Sequence, residues 1–303
     1  MSIAEVIKAN RPKISESTVR TYVSIIKNFA KQMGIELENA QDVITHYEKI
    51  IAHVKHLPAN VRKTRLSAIV VFIQHAKEEA SDALKALNDA MSNAKEEYNE
   101  EVDNQVMTEK QKETMKPWSY FVEKYHELEK QVEPLLEKDD LTKAEFAQFQ
   151  MYVILSCNIL LEPRRSMDWT EFKLRNVDKE KDNYISIIKR KPYLVFNQFK
   201  TVKKEGRLTI PCPKKLYKIL YAEWMFKNKH DWLLMNASQT NKINSTQYTK
   251  LLYNFFGENI STNILRHSHN TTKYKDIPPL KEMKKTAKNM SHSLTTALQY
   301  IKK

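Results

Sequence analysis

Only three glycines occur among 303 residues, Gly34, Gly206 and Gly257, and each stands alone. A P-loop or a dinucleotide-binding fingerprint needs several glycines within about six residues, because the backbone must approach a phosphate closely there. Nucleotide-loop and Rossmann chemistry are thereby excluded. Hydrophobic residues make up 41% of the chain, too many for a disordered polymer. The length leaves room for two modest domains. The longest apolar stretch, 151–161, contains Ser156 and Asn158 and is too short to span a bilayer, so no membrane is expected. The opening segment MSIAEVIKANRPK lacks the apolar stretch of a signal peptide. Cys157 and Cys212 form no CxxC pair, which fits a reducing compartment and leaves no zinc cluster. The expectation is a soluble intracellular protein.

Charge then directs attention to the partner. Lys and Arg number 50 against 37 Asp and Glu, a formal charge of +13. Such an excess suggests a polyanion, with nucleic acid as the first candidate. The cations cluster: residues 189–218 hold ten against one acid, Glu205, and residues 271–303 hold eight lysines against Asp276 and Glu282. Neutralising about six phosphates would give a log–log salt slope near −5. RNA modules are disfavoured, since neither an RNP aromatic signature nor a GXXG loop is present.

Periodicity sketches the organisation. Residues 1–76 read as helices. Ser15 or Ser17 caps a segment with Val19, Tyr22, Ile26, Phe29 and Met33 on one face, and Gly34 stops it. A second face is Val43, Tyr47, Ile50, Ile51 and Val54. A third helix starts after Pro58 and turns Val61, Leu66, Ile69, Ile73 and Ala76 inward. Its other side carries Arg62, Lys63 and Arg65, either a solvated face or a DNA-contacting one. Residues 78–103 invert the balance, with nine acids against two lysines, so this helix should face away from DNA or form a partner contact. The segment 104–117 lacks an apolar period and is expected to link a helical domain, 1–103, to a second domain, 118–303. In the second domain, helical patterns over 118–136 and 141–161 give way to short β-branched and aromatic runs at 184–188, 193–196 and 207–210. Helical signals resume at 213–228, 245–256, 261–273, 280–289 and 293–302. The predicted fold is mainly α with a small antiparallel β-sheet, in two domains. Trp118, Trp169, Trp224 and Trp232 are expected in the core rather than stacked on bases.

No metal-binding pattern is evident: HExxH and DxD are missing, and the near histidine pairs lack acidic companions. Phosphoryl transfer on DNA without metal needs a covalent nucleophile, guanidinium groups for the charge on phosphorus, and an acid for the leaving oxygen. Arginine suits the clamp because its planar fork matches two phosphate oxygens. Tyrosine suits the nucleophile because phenolate is an adequate leaving group, which makes the step reversible without ATP.

Three blocks answer those needs, LEPRRSMDW at 161–169, NILRHSH at 263–269 and MSHSLTTALQY at 290–300, and in them the chain resembles the tyrosine recombinases of the phage-integrase superfamily. LEPRRSMDW at 161–169 is similar to the family's arginine box, with Arg165 followed three residues later by Asp168; Arg164 is the neighbouring alternative. NILRHSH at 263–269 resembles the HxLRHT box and makes Arg266 the second catalytic arginine. MSHSLTTALQY at 290–300 resembles the family's ending, with His292 at the third-box position and Tyr300 as nucleophile. The family's hairpin lysine falls on Lys200, with Lys203 and Lys204 as substitutes and further DNA contacts. The likeness runs over roughly 118–303, more weakly over 1–76. Asn263 departs from it, standing where the family has His; asparagine can hold a phosphate oxygen but accepts no proton at neutral pH, so His267 or water would take that part. The resemblance implies a helical core-binding domain and a catalytic domain clamping duplex DNA, working as a homotetramer on paired sites. It implies site-specific recombination or integration of a viral or mobile element through a 3′-phosphotyrosyl intermediate, with neither metal nor cofactor. Whether that happens in a host's nucleus or cytoplasm stays open. The alternatives are a type IB topoisomerase and a catalytically inactive DNA-binding protein.

Overall fold

The structure, a computed structural model, describes residues 1–105, 107–291 and 293–299. The chain is mainly helical with one small three-stranded antiparallel sheet. It divides into two compact units: Met1–Val106 with Pro278–Lys303, and Met107–Ile277. No helix among the described residues is long and apolar enough to cross a membrane.

The first unit is built on helices α1 (Ile3–Asn10), α2 (Glu16–Met33), α3 (Ala40–Val54), α4 (Ala59–Ile73) and α5 (Ser81–Asp103). Ser15 caps α2, accepting from the Thr18 amide at 3.2 Å, and Gly34 closes it in the left-handed conformation at φ +62°. The expected faces hold: Val19, Ile26 and Phe29 of α2, Val43, Ile50 and Val54 of α3, and Leu66, Ile69 and Ile73 of α4 are buried. α4 goes further, because Ala68, Val70, Val71 and Phe72 are buried too, leaving its second half without a polar side. A helix apolar all round must be surrounded. α1 covers its end, where the Asn10 amide donates to the Val71 and Phe72 carbonyls at 2.7 and 3.1 Å. The acidic helix α5 lies along it, contributing buried Ala83, Leu87 and Ala94.

That packing changes the reading of the basic face of α4. Arg62 pairs with Glu97 of α5 and donates to the Lys55 carbonyl at 3.2 Å. Lys63 lies 4.6 Å from the centre of the Tyr98 ring, and Arg65 5.6 Å from that of Phe29. All three are only partly exposed. The face expected to be solvated or on DNA therefore makes contacts within its own unit and stays partly open.

In the second unit the expected linker region holds a short helix, α6 (Glu109–Thr114), nucleated by a reciprocal cap between Thr108 and Gln111. Such a cap gives no hydrophobic period, so pattern reading passes over it. Then come α7 (Trp118–Val132) and α8 (Lys143–Ile159), with Thr142 capping α8. From Phe149 to Asn158 every residue of α8 is buried, which makes it the central helix. After α9 (Ser166–Thr170) the chain forms β1 (Tyr184–Ile188) and β2 (Lys191–Phe196), a helical turn α10 (Val202–Glu205), and β3 (Leu208–Pro211). The sheet order is β1-β2-β3, with Tyr184 opposite Val195 and Phe196 opposite Leu208. β2 starts two residues earlier than expected because Lys189 and Arg190 both take positive φ, 47° and 64°, and close the hairpin in two residues.

The segment from Lys214 is helical to Lys227, as α11 (Lys214–Tyr217), a wide π-turn over Lys218–Trp224, and α12 (Met225–Lys227). α13 (Ser245–Phe256) and α14 (Thr262–Lys273) complete the unit. Trp169 and Trp224 are fully buried, whereas Trp118 and Trp232 sit partly exposed at its edge.

The last described helices, α15 (Leu280–Asn289) and α16 (Leu294–Gln299), fall in the first unit rather than with 118–277. Lys284 of α15 reaches Asp103 at 2.7 Å, Lys281 reaches Glu100 at 3.5 Å, and the Leu280 amide donates to Gln105 at 2.9 Å. Part of the partner expected for the acidic helix is thus this chain's own lysines.

Nothing lies within 4 Å of a Cβ built at Gly34, so its positive φ alone resists substitution. Gly34→Ala should destabilise the first unit by about 1 kcal/mol in urea unfolding, and Gly34→Asn by less.

Candidate functional site

Three of the expected site residues come together in the second unit. α8 ends near Leu160, and the following loop delivers Arg164 and Arg165 to the start of α9, where Arg165 is the N-cap residue in an extended conformation. α14 delivers Arg266. Its Ile264, Leu265 and Ser268 turn inward, Asn263 and His267 are exposed, and Arg266 lies half-buried at the boundary. Lys273, at the far end of α14, pairs with Glu162 at 3.0 Å and ties this helix to the arginine-bearing loop. His269 packs edge-on against Trp118 of α7, ring centres 5.0 Å apart.

Asp168 is the counter-charge. It is 3% exposed, and one carboxylate oxygen accepts from Arg164 Nη2 at 2.8 Å, while Oδ1 has no protein hydrogen-bond partner. Burial raises its pKa above the ordinary carboxylate value, against the opposing pull of Arg164, Arg165 and Arg266. The reverse holds at Arg266. Burial first, and then the like charge of Arg165, push its pKa below the usual guanidinium value; Asp168 opposes this and Arg164 adds to it. Three guanidinium groups therefore feel one carboxylate and one another.

They are not equivalent. Arg164 is paired with Asp168 and lies 4.1 Å from the centre of the Phe196 ring, with its Nε buried. The guanidinium groups of Arg165 and Arg266, both half-buried residues, make no ion pair or hydrogen bond with any described residue. Arg175 shows how this unit satisfies a guanidinium whose role is structural, since it donates to the carbonyls of Met225, Asn228 and His230.

Lys200 lies exposed in the β2–β3 connection, just after buried Phe199. Lys203 and Lys204 sit on α10, also exposed, with Lys204 3.9 Å from Glu205. Lys200 and Lys203 have no partner among the described residues. One residue that sequence reasoning missed organises this loop. Asn183, fully buried, donates to the Asp168 and Gln198 carbonyls at 2.9 and 2.8 Å. Its Oδ1 accepts from the amides of Asn197 and Gln198 at 2.8 and 2.7 Å. A single side chain thus fixes the backbone of α9 against the root of the loop that carries Lys200. A lone asparagine before a strand gives no pattern to find it by.

His292 and Tyr300 lie outside the described residues. Among the described residues no group of three or more His, Cys, Asp or Glu could hold a metal ion. Compared with protein-family models and with curated proteins, the sequence finds no match.

Removing the carboxylate should expose the imbalance. Asp168→Asn leaves the three guanidinium groups without their one carboxylate neighbour. Inorganic phosphate should then raise the melting temperature more in this variant than in the wild type. Because burial raises the Asp168 pKa, the fold holds its proton more tightly than the unfolded chain does. Wild-type stability should therefore fall as pH climbs from the ordinary carboxylate range through the raised value, and Asp168→Asn should lack this decline.

Proposed function

We propose that this chain binds duplex DNA and breaks and rejoins its strands through a 3′-phosphotyrosyl intermediate, as a site-specific recombinase or integrase. The observation that carries the reading is the pair of half-buried, unpaired arginines, Arg165 and Arg266, beside the Arg164–Asp168 ion pair. Holding like charges together at half-burial is unfavourable unless an anion completes the group, and a phosphodiester presents two oxygens to two guanidinium forks. Arg164 is committed to Asp168, which favours Arg165 as the phosphate-binding member of the first box.

In this reading Arg165 and Arg266 stabilise the charge that builds on the equatorial oxygens at phosphorus. Tyr300 Oη attacks phosphorus, its proton passing to water or to His267. The bond to the 5′ oxygen breaks, and Lys200 protonates that oxygen. A second 5′ hydroxyl then attacks the phosphotyrosine and returns the phenol. One phosphoester replaces another at each step, so no nucleotide is consumed. Asn263 and His292 would hold phosphate oxygens. Assembly as a tetramer on paired sites belongs to the same proposal.

A second reading is a DNA-binding protein that does not cleave. It draws on Asn263, exposed one helical turn before Arg266 and unable to accept a proton. DNA binding without any covalent adduct would favour it.

The arginines separate by two measurements. Arg165→Ala and Arg266→Ala should each lower cleavage by roughly 10²–10³ and leave the melting temperature unchanged or slightly raised, because a repulsion is relieved. Arg164→Ala should lower the melting temperature instead, since it leaves Asp168 buried and unpaired.

The nucleophile is tested on nicked suicide duplexes selected for binding from a random-sequence pool. The wild type should form an SDS-resistant adduct in EDTA, whereas Tyr300→Phe should bind equally and trap nothing. An adduct that survives in Tyr300→Phe would overturn the assignment.

A further inference from the structure

The β1–β2 hairpin closes through Lys189 and Arg190, both with positive φ. A two-residue hairpin turn of this kind ordinarily takes Asn-Gly, because side chains bearing a Cβ are disfavoured in the left-handed region. Here two long cations occupy it, and a third, Lys191, opens β2. None of the three has an ion-pair or hydrogen-bonding side-chain partner among the described residues. β3 pairs with β2 from Tyr193 to Phe196 and the Cys212 amide donates to the Pro192 carbonyl at 2.9 Å, so the ribbon runs past the third strand at Ile188, Lys191 and the turn between them. Two isoleucines of β1 are open to solvent here, Ile187 56% and Ile188 42% exposed. The chain thus holds a strained turn, three free cations and two uncovered isoleucines at the end of a two-stranded projection.

We propose that this ribbon tip, residues 187–191, is a duplex nucleic-acid contact of its own, built from residues that take no part in the arginine cluster. The major groove, about 12 Å wide, admits a two-stranded β-ribbon. Lys189, Arg190 and Lys191 then meet the phosphates along its edges, and Ile187 and Ile188 meet the sugars and base methyls between them. The backbone conformation is disfavoured for folding, and cations at the tip give it a purpose that Asn-Gly would not serve. The inference rests on the DNA-binding reading but not on cleavage.

Two variants of the full chain test it against a labelled mixed-sequence duplex, with salt varied from about 50 to 200 mM. Lys189→Asn with Arg190→Gly relaxes the turn and removes two charges. It should raise the urea midpoint while lowering affinity roughly tenfold and making the log–log salt slope shallower by about 2. Lys189→Gln with Arg190→Gln keeps the strained backbone and should show the same loss of affinity without the gain in stability. The opposite signs of stability and binding exclude misfolding as the cause. If the wild type binds the duplex and either variant binds within about twofold of it at an unchanged slope, the proposal is overturned while the DNA-binding reading survives. A wild type that binds no duplex sinks both. Binding to anionic phospholipid vesicles that is lost in the variants, with duplex binding intact, would also overturn it, by assigning the tip to a membrane surface. Loss of duplex binding in a chain that forms no tyrosine adduct would support the contact and remove the cleavage reading alone.

Discussion

One buried carboxylate facing three guanidinium groups constrains the arginine-bearing unit more than any other interaction. An ionised carboxylate taken out of water is costly unless it is paired, and Arg164 supplies the pair. The surplus is then Arg165 and Arg266, whose mutual repulsion is tolerable only at the rim, where water still reaches them. That explains why α14 turns Ile264 and Leu265 inward and leaves Arg266 half-buried at the boundary. A fully buried Arg266 would need a second carboxylate. A fully exposed one would be screened and would bind an anion weakly.

Rigidity comes from the layer beneath. α8 is buried along most of its length, so the loop after it has a fixed origin. Trp169 and Phe172 pack on Phe196 of β2, with ring centres 5.6 and 6.1 Å away, so α9 and the sheet behave as one layer. Asn183 completes that layer with four hydrogen bonds, using both donors and both acceptor sites of its amide. A side chain so fully engaged resists rotation, because each bond lost would leave a buried polar group unsatisfied. The arginine loop and the root of the Lys200 loop are thus set by packing and by one amide rather than by direct contact between their charged ends.

Much of the fold was legible in local chemistry. Ser15, Thr142 and Gly34 declare helix ends through capping, and the helix over Ser245–Phe256 starts and stops where its apolar period does. The β-branched runs declare three strands. What stayed hidden depends on partners distant in sequence. Arg62 and Lys63 look free along α4 because Glu97 and Tyr98 lie 35 residues further on, and Arg65 because Phe29 sits two helices earlier. The hairpin at Lys189 and Arg190 is tighter than its sequence suggests because neither residue is one that tight turns favour. Arg164 and Arg165 are neighbours in sequence, and only the partners of their side chains distinguish them: Arg164 pairs with Asp168 and lies against the Phe196 ring. The boundary at Pro278, which differs from a second domain running to 303, follows from lysines meeting carboxylates 181 residues earlier in the chain.

That split boundary bears on how the polypeptide is made. Synthesis is vectorial, and domains form as their residues emerge. Met107–Ile277 is continuous and can condense as soon as it has left the ribosome. The other unit is split around it, so the carboxylates near the end of α5 emerge early and must wait for about 170 intervening residues before Lys281 and Lys284 arrive. During that interval Glu100 and Asp103 stand without the lysines that later meet them, while Glu97 already has Arg62. The ribosome, itself largely RNA, is the first polyanion such a chain meets.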